Sequence, residues 1–273
     1  MRQLKDNGLT VGDMFCGAGI GAIGTKLAGF TTEYAFDNNK YAVDTFNKNI
    51  LPDVDVIPSG FPCKPFSVAG NRLGTEDPVT GNLGYITLKT ILTKKPKAFL
   101  IENVSGLINK RNRPFFDELI REFSKEYKVS WELVDCADYG VPQKRVRVFI
   151  IGIRKDLNKI FEFPEKSDYR MSVSDAIGDL PKDPCRSIPN HGEDCGIRND
   201  EAPYVNKIPV GGNWKDLPVE DQKAFMKKGY YSGGGRTGSL WKVDPSKPAK
   251  TILSSPKGKA TAQILHWSRA DIL

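Results

Sequence analysis

Four short clusters hold side chains whose types and order suit chemistry. The most constrained is Gly60-Phe61-Pro62-Cys63-Lys64-Pro65-Phe66-Ser67, where a thiol sits between prolines. Prolines stiffen the backbone, as a presented nucleophile requires, and Lys64 would favour the thiolate. A lone cysteine serves equally well as a small buried apolar residue, so this cluster alone leaves both readings open. Glu102-Asn103-Val104 follows the apolar run Ala98 to Ile101 and places a carboxylate at a strand end, as many strands do. In Tyr139-Gly140-Val141-Pro142-Gln143-Lys144-Arg145-Val146-Arg147, strand alternation puts Arg145 and Arg147 on one face. Taken alone, that stretch also reads as a solvated basic edge. Asp13-Met14-Phe15-Cys16-Gly17-Ala18-Gly19-Ile20-Gly21, with Gly24 beyond, is a glycine-rich turn between a strand and a helix. Such a turn lets the backbone approach a ligand at a helix N-terminus. Asp37, near the end of the next strand, is placed to hold ribose hydroxyls. Gly19-x-Gly21-x-x-Gly24 with Asp37 also fits the dinucleotide fingerprint, so the cluster points to an adenosine-type cofactor without saying which.

Alternating elements position these clusters. Leu9 to Phe15 reads as a strand, followed by a helix ending near Gly29, a strand Thr32 to Phe36 and a helix Lys40 to Asn49. Val54 to Ile57 is a buried strand, Leu83 to Thr93 a helix, Ala98 to Ile101 a strand and Pro114 to Ser124 a helix. Val129 to Val134 and Val146 to Ile153 close the series as strands. Strands alternating with helices imply an open α/β sheet with helices on both faces. After about Lys159, Pro, Gly, Asn and Asp become frequent and apolar periodicity weakens. Residues 1–159 therefore read as a catalytic and cofactor-binding domain, and 160–273 as a smaller loop-rich region with one short helix near Val173 to Ile177.

Lys and Arg number 40 against 33 Asp and Glu, an excess of 7 that suits a polyanionic partner without establishing one. No apolar run is long enough to span a membrane, and the first residues lack the apolar core of a signal peptide, so the expected location is the cytoplasm. The 5 cysteines form no CxxC pair, which argues against a disulfide framework. Cys185, His191 and Cys195 read as ordinary loop residues, and no metal is expected.

In this order, the Phe-x-Gly-x-Gly turn, the Phe-Pro-Cys loop, Glu-Asn-Val and Gln-x-Arg-x-Arg resemble the DNA cytosine-5 methyltransferase family. The likeness covers about residues 8–155 and, more loosely, Pro209 to His266, where Pro245-x-x-Pro248-Ala249-x-Thr251-Ile252 resembles the end of a target-recognition region. It implies a Rossmann-like methyltransferase sheet, S-adenosylmethionine as cofactor and double-stranded DNA as partner, with the protein at the nucleoid of a prokaryote. It implies that Cys63 attacks C6 of a flipped cytosine, that Glu102 acts near N3, that Arg147 holds the base near O2, and that Arg145 supports the loop. Phe15, Gly17, Gly19, Asp37, Asn38 and Pro62 would line the cofactor site. Ser67, Arg72, Asn103, Gln143 and Arg236 would serve the DNA side, with Asn103 positioning the catalytic loop.

The chain departs from this family at two places. The segment carrying an Asp for the cofactor adenine has no counterpart after Asn49, leaving Asp53 or Asp55 as substitutes. An arginine-rich motif and a closing helix are expected beyond His266, and Leu273 comes soon after it. A second polypeptide supplying these parts, further residues outside this sequence, and a silent DNA-binding homologue all stay open. An NAD-linked oxidoreductase accounts for the glycine spacing and Asp37 but leaves the other three clusters unexplained.

Overall fold

The computed structural model describes residues 5–14, 20–36, 54–62, 82–180, 199–231, 239–252 and 264–268. Contacts divide the chain into two compact units: Met1–Val134 with Val146–Glu165, and Asp135–Arg145 with Lys166–Leu273.

The first unit is built on a mixed sheet flanked by helices. Its elements are β1 (Thr10–Met14), α1 (Ile20–Leu27), β2 (Thr31–Phe36), β3 (Val56–Ser59), α2 (Leu83–Lys94), β4 (Ala98–Val104), α3 (Arg113–Phe123), β5 (Tyr127–Asp135) and β7 (Val146–Arg154). Among the described residues the sheet has six strands, in the order β2-β1-β3-β4-β7-β5. β1 runs parallel to both β2 and β3, and β3 parallel to β4, while β7 is antiparallel to β4. The α/β expectation holds. The expected helix Lys40 to Asn49 lies outside the described residues.

Helix α2 buries Gly84, Thr87, Leu88 and Ile91, the i, i+3, i+4, i+7 stripe of an amphipathic helix. It ends at Lys95, whose φ of 48° is left-handed, before Pro96 blocks continuation. Pro114 lies in the first turn of α3, which buries Phe115, Phe116, Leu119 and Phe123. A methyl group at Gly84 would stand 2.5 Å from Phe115 Cζ, so glycine is what lets these helices meet. Phe99 on β4 packs with its ring tilted 4.4 Å from Phe123 and edge-to-face 5.0 Å from Tyr127, centroid to centroid. Its ring lies against Gly152 of the paired strand β7, where a side chain would collide with it.

One boundary moved for a physical reason. The expected strand was Val54 to Ile57, and proline at 58 gives no ladder donor. The observed β3 runs on through Pro58 to Ser59, with Pro58 opposite Leu100. Pairing on both sides, with Val56 opposite Val11 and Ser59 opposite Met14, outweighs one missing N–H.

The second unit contains β6 (Gln143–Lys144), α4 (Val173–Ile177), α5 (Ala202–Val205), α6 (Val219–Met226), α7 (Lys228–Tyr231), β8 (Trp241–Lys242), β9 (Ala249–Lys250) and β10 (Ile264–Leu265). The single expected helix is α4, capped by reciprocal Ser172 and Asp175 hydrogen bonds. Helices α5 to α7 were not expected. Among their residues only Val205 and Phe225 are fully buried, too few apolar anchors to set a helical period in the sequence. Trp214, Leu217, Phe225, Leu240 and Leu265 form one core of this unit, and Val173, Trp241, Val243, Ala249 and Ile264 another. Parallel pairing joins β6 to β9 and β8 to β10.

Candidate active site

Strand order reverses at β1, whose two neighbours β2 and β3 lead away in opposite directions. Open α/β sheets bind ligands at the carboxyl ends of the strands beside such a reversal. Here those ends are Met14 and Ser59, which face each other in register. The glycine-rich turn leaves from the first and the Phe-Pro-Cys loop from the second.

Ser59 also pairs with Ile101, which puts Glu102 one step beyond, level with Gly60. Glu102 Oε2 lies 3.9 Å from where a Gly60 side chain would begin, so the bare backbone leaves room for the carboxylate. Asn103 is 1% exposed and its Nδ2 donates to the Phe61 carbonyl at 3.2 Å. Its Oδ1 accepts the Val104 N–H at 2.9 Å, which fixes the side-chain amide. The end of β4 is thereby tied to the residue two positions before Cys63. Pro62, half-buried, is the last described residue of this loop, and Cys63 lies outside the described residues.

The register of β4 and β7 sets Glu102 opposite Phe149 and Val104 opposite Arg147. Glu102 and Arg147 are therefore diagonal neighbours on one face. Arg147 Nε meets Glu102 Oε1 at 3.0 Å, the two side chains being 15% and 31% exposed. Arg147 Nη1 also donates to the Val146 carbonyl at 2.8 Å, which fixes the guanidinium in place.

Arg145 belongs to the second unit and falls in the break between β6 and β7. Simple alternation along one strand with Arg147 therefore does not apply to it. Its N–H donates to Asp135 Oδ1 at 3.1 Å and its carbonyl accepts the Cys136 N–H at 2.9 Å. Asp135 also accepts the Ala137 N–H, capping the short turn Cys136–Tyr139. Gln143 lies half-buried in β6 opposite Ala249. Phe15, Gly17, Gly19, Asp37, Asn38, Ser67, Arg72, Arg236, Asp53, Cys185, His191 and Cys195 all lie outside the described residues. Among the described residues no cluster of His, Cys, Asp and Glu has metal-binding geometry.

The geometry takes Asp55 out of the cofactor site. Its Oδ2 accepts the Thr10 N–H at 3.2 Å and its Oδ1 pairs with Lys97 Nζ at 2.7 Å. Thr10 begins β1, so Asp55 works at the amino end of the sheet, away from the ligand end. The Lys97 hydrogen bond holds its pKa below the ordinary aspartate value.

Asp13 stands out in a way that spacing did not indicate. It is 5% exposed on β1, one residue before the strand's last residue Met14, and its Oδ2 is buried with no hydrogen-bond partner among the described residues. Burial pushes its carboxyl pKa up. The signal was present in the sequence as a carboxylate between Val11 and Met14 within the predicted strand.

A family model described as C-5 cytosine-specific DNA methylase matches residues 9–266. The Type II methyltransferase M.Sau96I of Staphylococcus aureus is 34% identical over 284 residues, an alignment covering 94% of this chain and 64% of that protein. M.PspPI of Psychrobacter sp. (strain TA137), also a Type II methyltransferase, is 33% identical over 278 residues, covering 91% of this chain and 64% of that protein. The chain thus spans 64% of the length of each of these relatives. In fold, it resembles a prophage-encoded Escherichia coli protein described as a DNA modification methyltransferase, with a TM-score of 0.63 and 20% identity over 97% of this chain and 85% of the other.

Proposed function

Since this chain belongs to the C-5 cytosine-specific DNA methylase family, we propose that it transfers a methyl group from S-adenosylmethionine to C5 of cytosine in double-stranded DNA, with Cys63 as nucleophile. The observation that carries this reading is the arrangement at the ends of β3 and β4. Glu102 is held by Arg147 at 3.0 Å, and Asn103 is bonded to the backbone that leads into Cys63.

The described residues suit the cofactor. A buried carboxylate without a partner is costly, and a cationic group beside it would repay that cost. S-adenosylmethionine carries an ammonium and a sulfonium, and Asp13 lies where the strand turns toward the expected cofactor residues Phe15, Gly17, Gly19, Asp37, Asn38 and Pro62. When bound, the cofactor supplies an electrophilic methyl on sulfur.

The rest is work for this chain's own side chains. The target cytosine leaves the helix, since its ring atoms are unreachable inside the stack. The Cys63 thiolate forms a bond to C6, and the electron pair displaced from the C5–C6 bond makes C5 nucleophilic. Glu102 acts as the acid that donates its proton to N3 and takes it back on elimination, while Arg147 donates to O2 and to Glu102, so negative charge developing in the pyrimidine meets fixed donors. After C5 accepts methyl, with the pair of the broken S–CH3 bond staying on sulfur, the C5 hydrogen leaves as a proton to water. The electrons of that C–H bond restore the C5–C6 double bond and expel Cys63. Arg145, anchored by Asp135, supports the catalytic loop. Ser67, Arg72, Gln143 and Arg236 contact DNA, and the region from about residue 160 reads the target sequence. The setting is chromosomal DNA in the cytoplasm, with or without a second polypeptide.

Transfer of labelled methyl from S-adenosylmethionine to unmethylated DNA tests the reading, with Cys63→Ser assayed alongside. Label at cytosine C5 that vanishes in the variant is the expected result. Equal transfer by Cys63→Ser would overturn the mechanism. Binding of DNA and cofactor without transfer by the wild type would replace it with a silent or split homologue.

A further inference from the structure

In the parallel pair β6–β9, Gln143 stands opposite Ala249 and Lys144 opposite Lys250. Residues in register on adjacent strands sit about 4.8 Å apart and project to the same face. The Gln143–Ala249 face turns inward, since Ala249 is buried, and the two lysines share the outward face, where both are exposed. Like charges directly opposite each other destabilise a sheet. Among the described residues neither lysine makes an ion pair within 4.0 Å, and only the more distant Asp216 carboxylate partly offsets the charge of Lys250.

The pair is also held in place. The ammonium of Lys250 lies 4.6 Å from the ring centroid of Trp241, which is itself buried. Thr251 Oγ1 donates to the Lys144 carbonyl at 2.9 Å, locking the two strands together immediately beside the pair. Burial against the second core lowers the Lys250 pKa, so its charge is already partly stripped of water. Two aligned cations, kept side by side at a cost to the fold, are poised for an external anion.

We propose that Lys144 and Lys250 form a paired seat for the phosphodiester backbone of the DNA substrate. The inference rests on the reading of the chain as a DNA methyltransferase and adds a contact outside the base-handling residues. Lys144 is adjacent in the chain to Arg145 and three residues before Arg147, so the seat would anchor the strand close to the nucleotide those arginines serve. Phosphate contacts set register without reading sequence, so the seat should act alike on any duplex.

DNA affinity measured across a salt series tests this. Each neutralised phosphate contributes about 0.9 to the slope of log affinity against log salt. Lys144→Gln and Lys250→Gln should each flatten the slope by about one unit, and the double variant by about two, equally on target and unrelated duplexes. Lys144→Arg with Lys250→Arg, which keeps both charges, should restore the slope. A double Lys89→Gln, Lys159→Gln variant removes the same charge from exposed positions elsewhere and should leave the slope unchanged. Melting temperature should not fall in Lys144→Gln, which removes the repulsion and leaves the Lys250–Trp241 contact in place. A wild-type slope retained by Lys144→Gln/Lys250→Gln would overturn the seat while leaving the methyltransferase reading intact. Wild-type protein without salt-dependent DNA binding would overturn both.

Discussion

Asn103 offers the sharpest test of how the site is assembled. Its buried amide joins β4 to the Phe61 carbonyl at 3.2 Å, two residues before Cys63. Asn103→Ala deletes that hydrogen bond inside a site with almost no solvent access. Removing one buried neutral partner costs about 1–3 kcal/mol. At roughly 2–4 °C per kcal/mol for a domain of this size, the melting temperature should drop by about 2–12 °C. The catalytic effect should be larger than this stability loss implies. A displacement of about 1 Å at a reacting group costs about 10²-fold in rate. Single-turnover methyl transfer at saturating DNA and cofactor should therefore slow by about two orders of magnitude, while DNA affinity stays near wild type. A DNA containing 5-fluorocytosine isolates the step: the C–F bond blocks loss of the C5 substituent, so the Cys63 adduct persists and can be counted. Its formation should slow in parallel. If the variant melts lower but traps the adduct within threefold of the wild-type rate, Asn103 is a structural tether and the positioning argument fails.

Glu102→Gln should cut single-turnover transfer by about 10²–10⁴-fold. Its melting temperature should shift little, because the Arg147 pair is partly exposed; full activity in this variant would remove Glu102 from the chemistry. Asp13→Asn addresses the buried carboxylate, whose raised pKa means the folded state holds its proton to higher pH than the unfolded chain does. That carboxylate thus costs stability as pH rises past the unfolded value of 3.8. Cofactor-free Asp13→Asn should melt above the wild type at neutral pH and converge with it toward pH 4, and should show a smaller thermal shift with S-adenosylmethionine. A melting difference independent of pH would contradict this. Gly84→Ala forces a methyl to 2.5 Å from Phe115 Cζ and should cost about 1–3 kcal/mol, read as a lower denaturation midpoint. Phe225→Ala empties a buried site in the second unit at a cost of about 3–5 kcal/mol. It should weaken DNA binding while calorimetry still detects S-adenosylmethionine, which the first unit is expected to hold.

Much of the first unit was legible because its signals are local. The helical stripe of α2 and the apolar run of β4 are each properties of a few consecutive residues. The alternation of strand and helix followed from them, and with it the sheet edge formed by Met14, Ser59 and Glu102, where open α/β sheets bind ligands. Other features were invisible because they are sums over distant partners. Pro58 remains in a strand because β4 pairs with it directly and β1 pairs with Val56 and Ser59 on either side of it. Asp55 left the list of cofactor contacts only when Thr10 and Lys97 were found on its carboxylate. Helices α5 to α7 depend on a Trp and Phe core assembled from separate segments, so no single stretch shows their period.

The amino-acid sequence by itself determined which chemistries were available: a thiol in a stiff loop, a carboxylate at a strand end, arginines in a basic stretch and a glycine turn for a cofactor. Tertiary structure alone decided which of these meet. The 3.0 Å contact of Glu102 with Arg147 exists because antiparallel register sets Val104 opposite Arg147. The side-by-side lysines exist because β6 pairs with β9 across more than a hundred residues. Register is chosen by the whole packed core at once, and a shift of one residue would send every side chain to the opposite face. Local composition cannot encode that choice; only the folded chain makes it.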